Sequence, residues 1–181
     1  MINDEHQTKK MTTEKLNTKE LFESLDETTS ELLKTISLFN EEEINTLPFE
    51  NSWTAAQVAE HVMLSNRAMI QSLKEEGRTV SGNIDEGVAK LKEVFLNFDS
   101  KLQSPKFILP TQEIYNMKQL VADLRHSVEQ IKKLCAMIDL SETIDHHVFS
   151  KISKFEILHF VVYHTQRHIH QLKNIFRHVT K

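Results

Sequence analysis

Cysteine is nearly absent from this sequence, in which Cys135 is the only one among 181 residues. A single thiol excludes an intrachain disulfide and a thiolate metal cluster, and it makes the reducing cytoplasm the expected location. Long hydrophobic runs are also lacking, since none approaches the roughly 20 residues that a membrane-spanning helix needs. The N-terminus, MINDEHQTKKMTTEKLN, is polar, so no secretory signal is predicted.

Glycine and proline are scarce, at three residues each. Because few residues interrupt helices and good helix formers are common, the composition predicts an all-α protein. The length suits one domain with a sizeable core. The net charge of −4 at pH 7 gives no electrostatic reason to bind nucleic acid or an anionic membrane, and neither partner is expected.

One helix-start pattern occurs four times. A capping box pairs an N-cap Ser, Thr, Asn or Asp with Glu or Gln three residues later, and a hydrophobic staple packs the preceding residue against the fourth helical residue. Both devices coincide at Leu16–Leu21, Trp53–Val58, Tyr115–Leu120 and Ile152–Ile157. Each match heads a stretch in which apolar residues recur with helical period, so four main helices are predicted.

We place these helices at residues 18–40, 54–76, 117–138 and 154–179. The second and third are separated by a long crossover, which we expect to hold a shorter helix near 84–100 and then the extended stretch SPKFILPT. Two short loops and one long middle connection are typical of a four-helix bundle. Residues 1–16 are predicted to be a flexible N-terminal tail, and residues 17–181 the bundle domain.

The last helix carries histidines inside its apolar stripe, in the stretch FVVYHTQRHIHQLKNIF. His164 and His168 lie about 40° apart on the helical wheel, in the middle of the buried face, whereas His159 and His170 fall on the opposite, solvated side. His61 lies on the inward arc of the second helix, where Ser65 and Ala68 are small and leave room for an imidazole. Three histidines on core faces therefore need a common explanation.

One divalent metal ion shared by His61, His164 and His168 is the hypothesis we favour. The alternative is three ordinary core histidines, each hydrogen-bonded within the fold. Because Gln171 and His147 are unconvincing fourth ligands, a metal site would have an open position of the catalytic type. Three other residues have two interpretations each. Thr28 and Ser127 either line a pocket or pack in the core, and Trp53 either packs as a hydrophobic staple or lines the pocket mouth. His146 and His147 are expected in a solvated loop.

Three stretches resemble the DinB-like superfamily in their order and spacing: WTAAQVAEH at 53–61, DSKLQSPKFILPT at 99–111 and FEILHFVVYHTQRHIHQL at 155–172. The resemblance implies a four-helix bundle that binds one divalent metal, often zinc or nickel, through histidines matching His61, His164 and His168. Known members include thiol S-transferases and a mycothiol-dependent isomerase. One departure leaves the local loop shape open, because a glycine often found between the third and fourth helices is missing from HHVFSKIS at 146–153.

The resemblance favours S-transfer of a low-molecular-weight thiol to a small electrophile, with hydrolysis second. Cys135 lies on a core arc and is expected to be inert, so the thiol would be a cosubstrate. No catalytic residue is assigned. The alternative is a non-catalytic metal-binding bundle with a structural or stress-response role. A homodimer is compatible with apolar surface left over on a small bundle, although no residue demonstrates it.

Overall fold

A computed structural model describes the backbone of residues 2–80 and 83–180 and the side chains of residues 18–80 and 83–180. These residues form five α-helices, three short β-strands and two single-turn 3₁₀-helices at Glu43–Asn45 and Lys106–Ile108. The helices are α1 Ile2–Ile36, α2 Ala55–Lys74, α3 Val88–Leu96, α4 Met117–Cys135 and α5 Lys154–Val179. The strands are β1 Arg78–Thr79, β2 Glu142–His146 and β3 Ser150–Ser153.

Four of the helices form the predicted bundle. Helix α1 packs against α5, α2 packs against both α4 and α5, and the crossover helix α3 lies along α5. Fully buried aliphatic side chains fill the interior, among them Ile36, Val58, Ile131, Ile157 and Leu172, each 0% exposed. The prediction of an all-α four-helix bundle with a helix in its long crossover is confirmed.

The predicted caps account for three of the four helix starts. Thr54 and Ser153 form reciprocal capping boxes at α2 and α5. At α4, Asn116 accepts from the Gln119 backbone N–H, but the Gln119 amide donates to Asp123 instead of closing the box. The start predicted at Asn17 is wrong, since α1 is continuous from Ile2 and no glycine or proline precedes Asn17 to interrupt it. The flexible tail predicted for residues 1–16 lies outside the described side chains and stays a prediction.

Helix ends were predicted slightly too late, because α1, α2 and α4 end at residues 36, 74 and 135 instead of 40, 76 and 138. The crossover helix is also shorter than predicted. Its N-cap is Gly87, whose N–H donates to the buried carboxylate of Glu156. A Cβ at Gly87 would lie 2.8 Å from Glu156 Oε1, so a larger residue there would require this carboxylate to shift.

A small antiparallel sheet, in the order β1-β2-β3, was not predicted. Its β2–β3 hairpin occupies the connection between α4 and α5, with Ile144 opposite Ile152. Ser150, at the start of β3, has φ 63°, in the left-handed region that usually favours glycine. The hairpin thus keeps a glycine-like conformation although the stretch HHVFSKIS contains no glycine.

His146 contradicts the prediction of a solvated loop, because it lies on β2 with only 4% exposure. Its Nδ1 accepts from the backbone N–H groups of Val148 and Phe149, at 3.1 and 3.4 Å, and its buried Nε2 has no partner among the described residues. Burial lowers the pKa of His146 below its usual value of 6.5, and the nearby charge of His147 adds to that shift. His147 itself is exposed in the turn, as predicted.

The folded protein should therefore lose stability as the pH falls. The unfolded chain takes up a proton at His146 near pH 6.5, whereas the folded chain does so only at lower pH, so the free energy of unfolding decreases below that pH. Between pH 7 and pH 5, we expect His146→Asn to reduce this decrease by about 1 kcal/mol, since the asparagine oxygen can accept the same N–H groups without titrating. Urea unfolding at several pH values measures the effect, with His126→Asn on the exposed side of α4 as control. Equal pH dependence in wild type and His146→Asn would contradict it.

No helix in residues 2–80 or 83–180 is both long and apolar enough to cross a bilayer.

Candidate metal centre

Helices α2 and α5 bring together the three histidines that the sequence predicted as ligands. His61 on α2 is 2% exposed, and His164 and His168 on α5 are 5% and 7% exposed. The two on α5 are one helical turn apart, so both imidazoles point to the same side of that helix. His61 meets them because α2 packs directly against α5.

The imidazole nitrogens have the spacing of a tripod of metal ligands. His164 Nε2 lies 3.2 Å from His61 Nε2 and 3.2 Å from His168 Nε2, and one ligand atom from each residue lies within 4.8 Å of the others. Bonds of 2.0–2.1 Å in tetrahedral geometry place zinc-bound nitrogens about 3.3 to 3.4 Å apart. Both separations from His164 Nε2 are therefore already close to those around one divalent ion, and the third pair of ligand atoms lies within 4.8 Å.

Outer hydrogen bonds fix the tautomer of two of these histidines. The Ile108 carbonyl oxygen lies 2.8 Å from His61 Nδ1, and Gln171 Oε1 lies 2.9 Å from His168 Nδ1. Since both oxygens only accept, each Nδ1 carries a proton and each Nε2 presents a lone pair to His164. A proton on His164 Nε2 could satisfy one of those lone pairs but not both. A cation at the centre satisfies all three nitrogens.

The electrostatics of the cluster keep the rings neutral, as metal ligation requires. Burial is the largest cause in each case: it lowers the pKa of His61, takes that of His164 well below 6.5 and takes that of His168 to about 3. Repulsion between the positive charges that protonated rings would carry lowers the pKa of His164 and His168 further. The cluster therefore offers three lone pairs at neutral pH.

A buried carboxylate next to His61 anchors the backbone that holds this ring, and sequence reasoning missed it. Glu60, 4% exposed, accepts from the Thr111 N–H at 2.7 Å, the Thr111 hydroxyl at 2.8 Å and the Tyr115 hydroxyl at 2.5 Å. These bonds fasten the returning crossover to α2 just after Ile108, whose carbonyl orients His61. Glu60 thus acts on the site through the crossover and not as a ligand.

The other polar residues that the sequence analysis considered lie outside the group of three ligands. Gln171 is a hydrogen-bond partner of His168 and not a fourth ligand, and His147 lies outside the cluster. Ser127 packs in the core, donating to the Leu124 carbonyl of its own helix and accepting from Asn66. Thr28 is buried and accepts from Gln166. His170 is exposed as predicted, whereas His159 is half-buried.

The three imidazoles lie on the wall of a cavity of about 770 Å³, within the 300–1,000 Å³ that small-molecule sites occupy. The cavity opens between α2, α5 and the crossover, and it is lined mainly by apolar and aromatic side chains. Trp53 has both predicted roles, since it packs at the start of α2 and also lines this cavity, with its ring centroid 5.1 Å from that of His61. The histidine cluster is therefore accessible to a ligand of moderate size.

This chain is a four-helix bundle in which three imidazoles converge beside a cavity. Its fold and its site therefore define it as a bundle protein with a candidate divalent-metal site. The family model of the DinB superfamily matches residues 24–172, and the chain belongs to that superfamily. The resemblance seen in the sequence is thereby confirmed.

The relatives are distant. The uncharacterised protein YuaE of Bacillus subtilis (strain 168) is 24% identical over 139 residues, which are 75% of this chain and 85% of YuaE. The four-helix bundle protein TT2238 superposes with a TM-score of 0.57 at 17% identity, covering 86% of this chain and 98% of its own. YfiT from Bacillus subtilis, described as a probable metal-dependent hydrolase with an unusual four-helix bundle topology, gives 0.57 at 16% identity over 88% of this chain and 85% of YfiT. At these identities the two structures support the fold alone.

Cys135 is buried among core side chains, as predicted, and burial raises its pKa to about 12. We expect the folded protein to react with a disulfide reagent at pH 8 at least about 100 times more slowly than the unfolded chain, because the thiolate is both rare and inaccessible. Colorimetric thiol titration with and without denaturant measures this ratio. Comparable rates in the two states would show that the thiol is available for chemistry.

Proposed function

We propose that this protein is a divalent-metal-dependent enzyme that transfers a low-molecular-weight thiol to a small electrophile. His61, His164 and His168 are the proposed ligands of one ion, zinc or nickel being the first candidates. One observation carries the proposal: three Nε2 atoms converge beside an open cavity. In His61 and His168, the hydrogen bonds at Nδ1 leave the Nε2 lone pair free to bind a metal.

The number of ligands supports a reactive site over a structural one. Structural zinc sites are normally closed by four protein ligands, whereas catalytic sites have three and leave one position open. Among residues 18–80 and 83–180, the only group of three or more potential ligands is this one. A divalent ion held there supplies Lewis acidity, which lowers the pKa of a thiol or water ligand at the open position.

Thiol transfer is preferred over hydrolysis because the chain belongs to the DinB superfamily, whose known members include thiol S-transferases, and because of one feature of the cavity. No aspartate or glutamate is found among the described residues that line it, so a carboxylate that could act as general base for water is missing there. An ion at the open position would lower the pKa of a bound thiol as well as that of a bound water. Cys135 is too deeply buried to be the thiol nucleophile itself, so the thiol would be a cosubstrate. Hydrolysis is the second candidate, and the description of YfiT as a probable metal-dependent hydrolase favours it.

The test begins with elemental analysis of protein purified without chelators. We expect about one divalent ion per chain and a lower melting temperature after chelation. Formation of a thioether from a generic electrophile is then compared for cysteine and glutathione as thiols, and ester hydrolysis is measured in parallel. A metal-free protein whose melting is insensitive to chelator overturns the proposal. Bound metal without thioether formation or hydrolysis would favour a structural role.

A further inference from the structure

The charges around the cavity are strongly one-sided. Aspartate and glutamate make up 26 of the 181 residues and outnumber the 22 lysines and arginines, yet none of the described residues lining the cavity is acidic. Lys101 and Arg167 do line it. An acidic protein thus carries a pocket whose fixed charges are positive, which raises the local concentration of anions.

Arg167 gives this pocket a cation that no carboxylate neutralises. It lies on α5 between His164 and His168, and its guanidinium donates to the backbone carbonyls of Phe95, Asn97 and Ser100. These acceptors are neutral, and none of the ion pairs between described side chains includes Arg167. Its positive charge therefore acts on the cavity.

Lys101 lies at the exposed end of the same wall. Its side chain is exposed and, within the described part of the chain, forms no ion pair with an aspartate or glutamate. An unpaired ammonium group on a flexible stem can reach a charged group of a ligand without first breaking an internal contact. The cavity therefore has two cations, one held rigidly by backbone carbonyls and one mobile.

The remaining wall is aromatic and continues to the histidine cluster. The ring of Phe160 lies 4.9 Å from Phe149, 5.0 Å from Phe95 and 5.1 Å from His164, centroid to centroid. At the mouth, Phe98, Leu102, Phe107 and Val148 are 43–52% exposed. Large apolar side chains left open around a pocket are typical of a site that binds an apolar group.

We infer that the ligand of this cavity is an organic anion with an aromatic or similarly bulky apolar body. The apolar body lies against the phenylalanine wall next to the histidine cluster, and the anionic group lies near Lys101 and Arg167. This inference rests on the proposed function, since it names the substrate class of the same site. The charge preference itself arises from the chain and not from an ion, so it can be measured apart from metal binding.

The experiment uses three naphthalene probes of nearly equal shape: naphthalene-2-sulfonate, 2-naphthalenemethanol and 2-naphthylmethylammonium. Their affinities are measured by calorimetry on the full chain after chelation. We expect the sulfonate to bind roughly tenfold more tightly than the neutral alcohol, and the ammonium probe to bind most weakly.

Two variants test the proposed contacts. Lys101→Glu should weaken the sulfonate roughly tenfold and leave the alcohol unchanged, whereas Lys90→Glu, an exposed change on α3 outside the cavity, should alter neither. Ala68→Phe, which puts a ring into the cavity, should weaken all three probes, and circular dichroism confirms its folding.

Equal affinity for the three probes, a preference for the ammonium, or no binding of any probe overturns the inference. So does a preference for the sulfonate that Lys101→Glu does not reduce. Repeating the titration on metal-loaded protein separates the two proposals. Sulfonate binding that appears only with metal would place recognition on the ion and overturn this inference alone. A protein that never binds metal but keeps the charge preference would overturn only the proposed function.

Discussion

Replacing His164 by alanine is expected to abolish tight metal binding. The His164 Nε2 is the atom that both other rings approach, at 3.2 Å from His61 Nε2 and 3.2 Å from His168 Nε2. Losing an outer partner of a metal ligand already weakens affinity by about 10- to 100-fold, so losing the ligand itself should weaken it more than about 100-fold. Competition with a chromogenic chelator measures the affinity.

Stability measurements give a second, independent result for this variant. A metal that binds only the folded state stabilises it by about 2.7 kcal/mol at 100 times its dissociation constant, and this stabilisation should disappear in His164→Ala. The metal-free variant should remain folded, because without metal the His164 ring can satisfy only one of the two lone pairs that face it. His159→Ala, on the same helix but outside the cluster, is the matched control. Unchanged metal affinity in His164→Ala would exclude the three-histidine site.

Replacing Glu60 by glutamine should weaken metal binding although Glu60 is not a ligand. Three donors converge on its carboxylate, from the Thr111 N–H, the Thr111 hydroxyl and the Tyr115 hydroxyl, and the amide nitrogen of glutamine would face one of them. We expect a loss of about 1–3 kcal/mol in the free energy of unfolding. Because the crossover that holds the Ile108 carbonyl against His61 loosens, metal affinity should fall about tenfold.

The control for Glu60→Gln is Glu156→Gln. Glu156 is another buried glutamate that accepts backbone N–H groups, from Ser153 and Gly87, but it lies away from the histidine cluster. It should lower stability by a similar amount and leave metal affinity within twofold. Equal losses of affinity in both variants would mean that general destabilisation, and not the position of the crossover, is responsible. Chemical unfolding and chelator competition on the same samples distinguish these outcomes.

The helical framework could be predicted because its signals are local. Thr54 and Ser153 head their helices with reciprocal caps, and the apolar period places His61, His164 and His168 on inward faces. Those two facts suffice to predict which histidines share the interior of the bundle. They do not give the distances between them, which depend on how α2 packs on α5.

The parts that sequence reasoning missed depend on backbone groups and on distant partners. The atom that orients His61 is the carbonyl of Ile108, and every residue type has a carbonyl, so no letter of the sequence marks it. In the sequence, nothing distinguishes Glu60 from the other glutamates in helices. Its role depends on Thr111 and Tyr115, which the crossover brings next to it in the folded chain. The β2–β3 hairpin was missed because Ser150 adopts φ 63° where glycine would have signalled a turn.

His61 and His164 are separated by 103 positions along the chain. A cation could therefore bind both residues only after α5 has been synthesised and has packed against α2. Until then the first half of the protein contains one of the three imidazoles, which by itself holds a divalent ion only weakly. Metal binding would thus follow the packing of α5 against α2. It would link these two helices and slow the dissociation of α5 from the rest of the folded bundle.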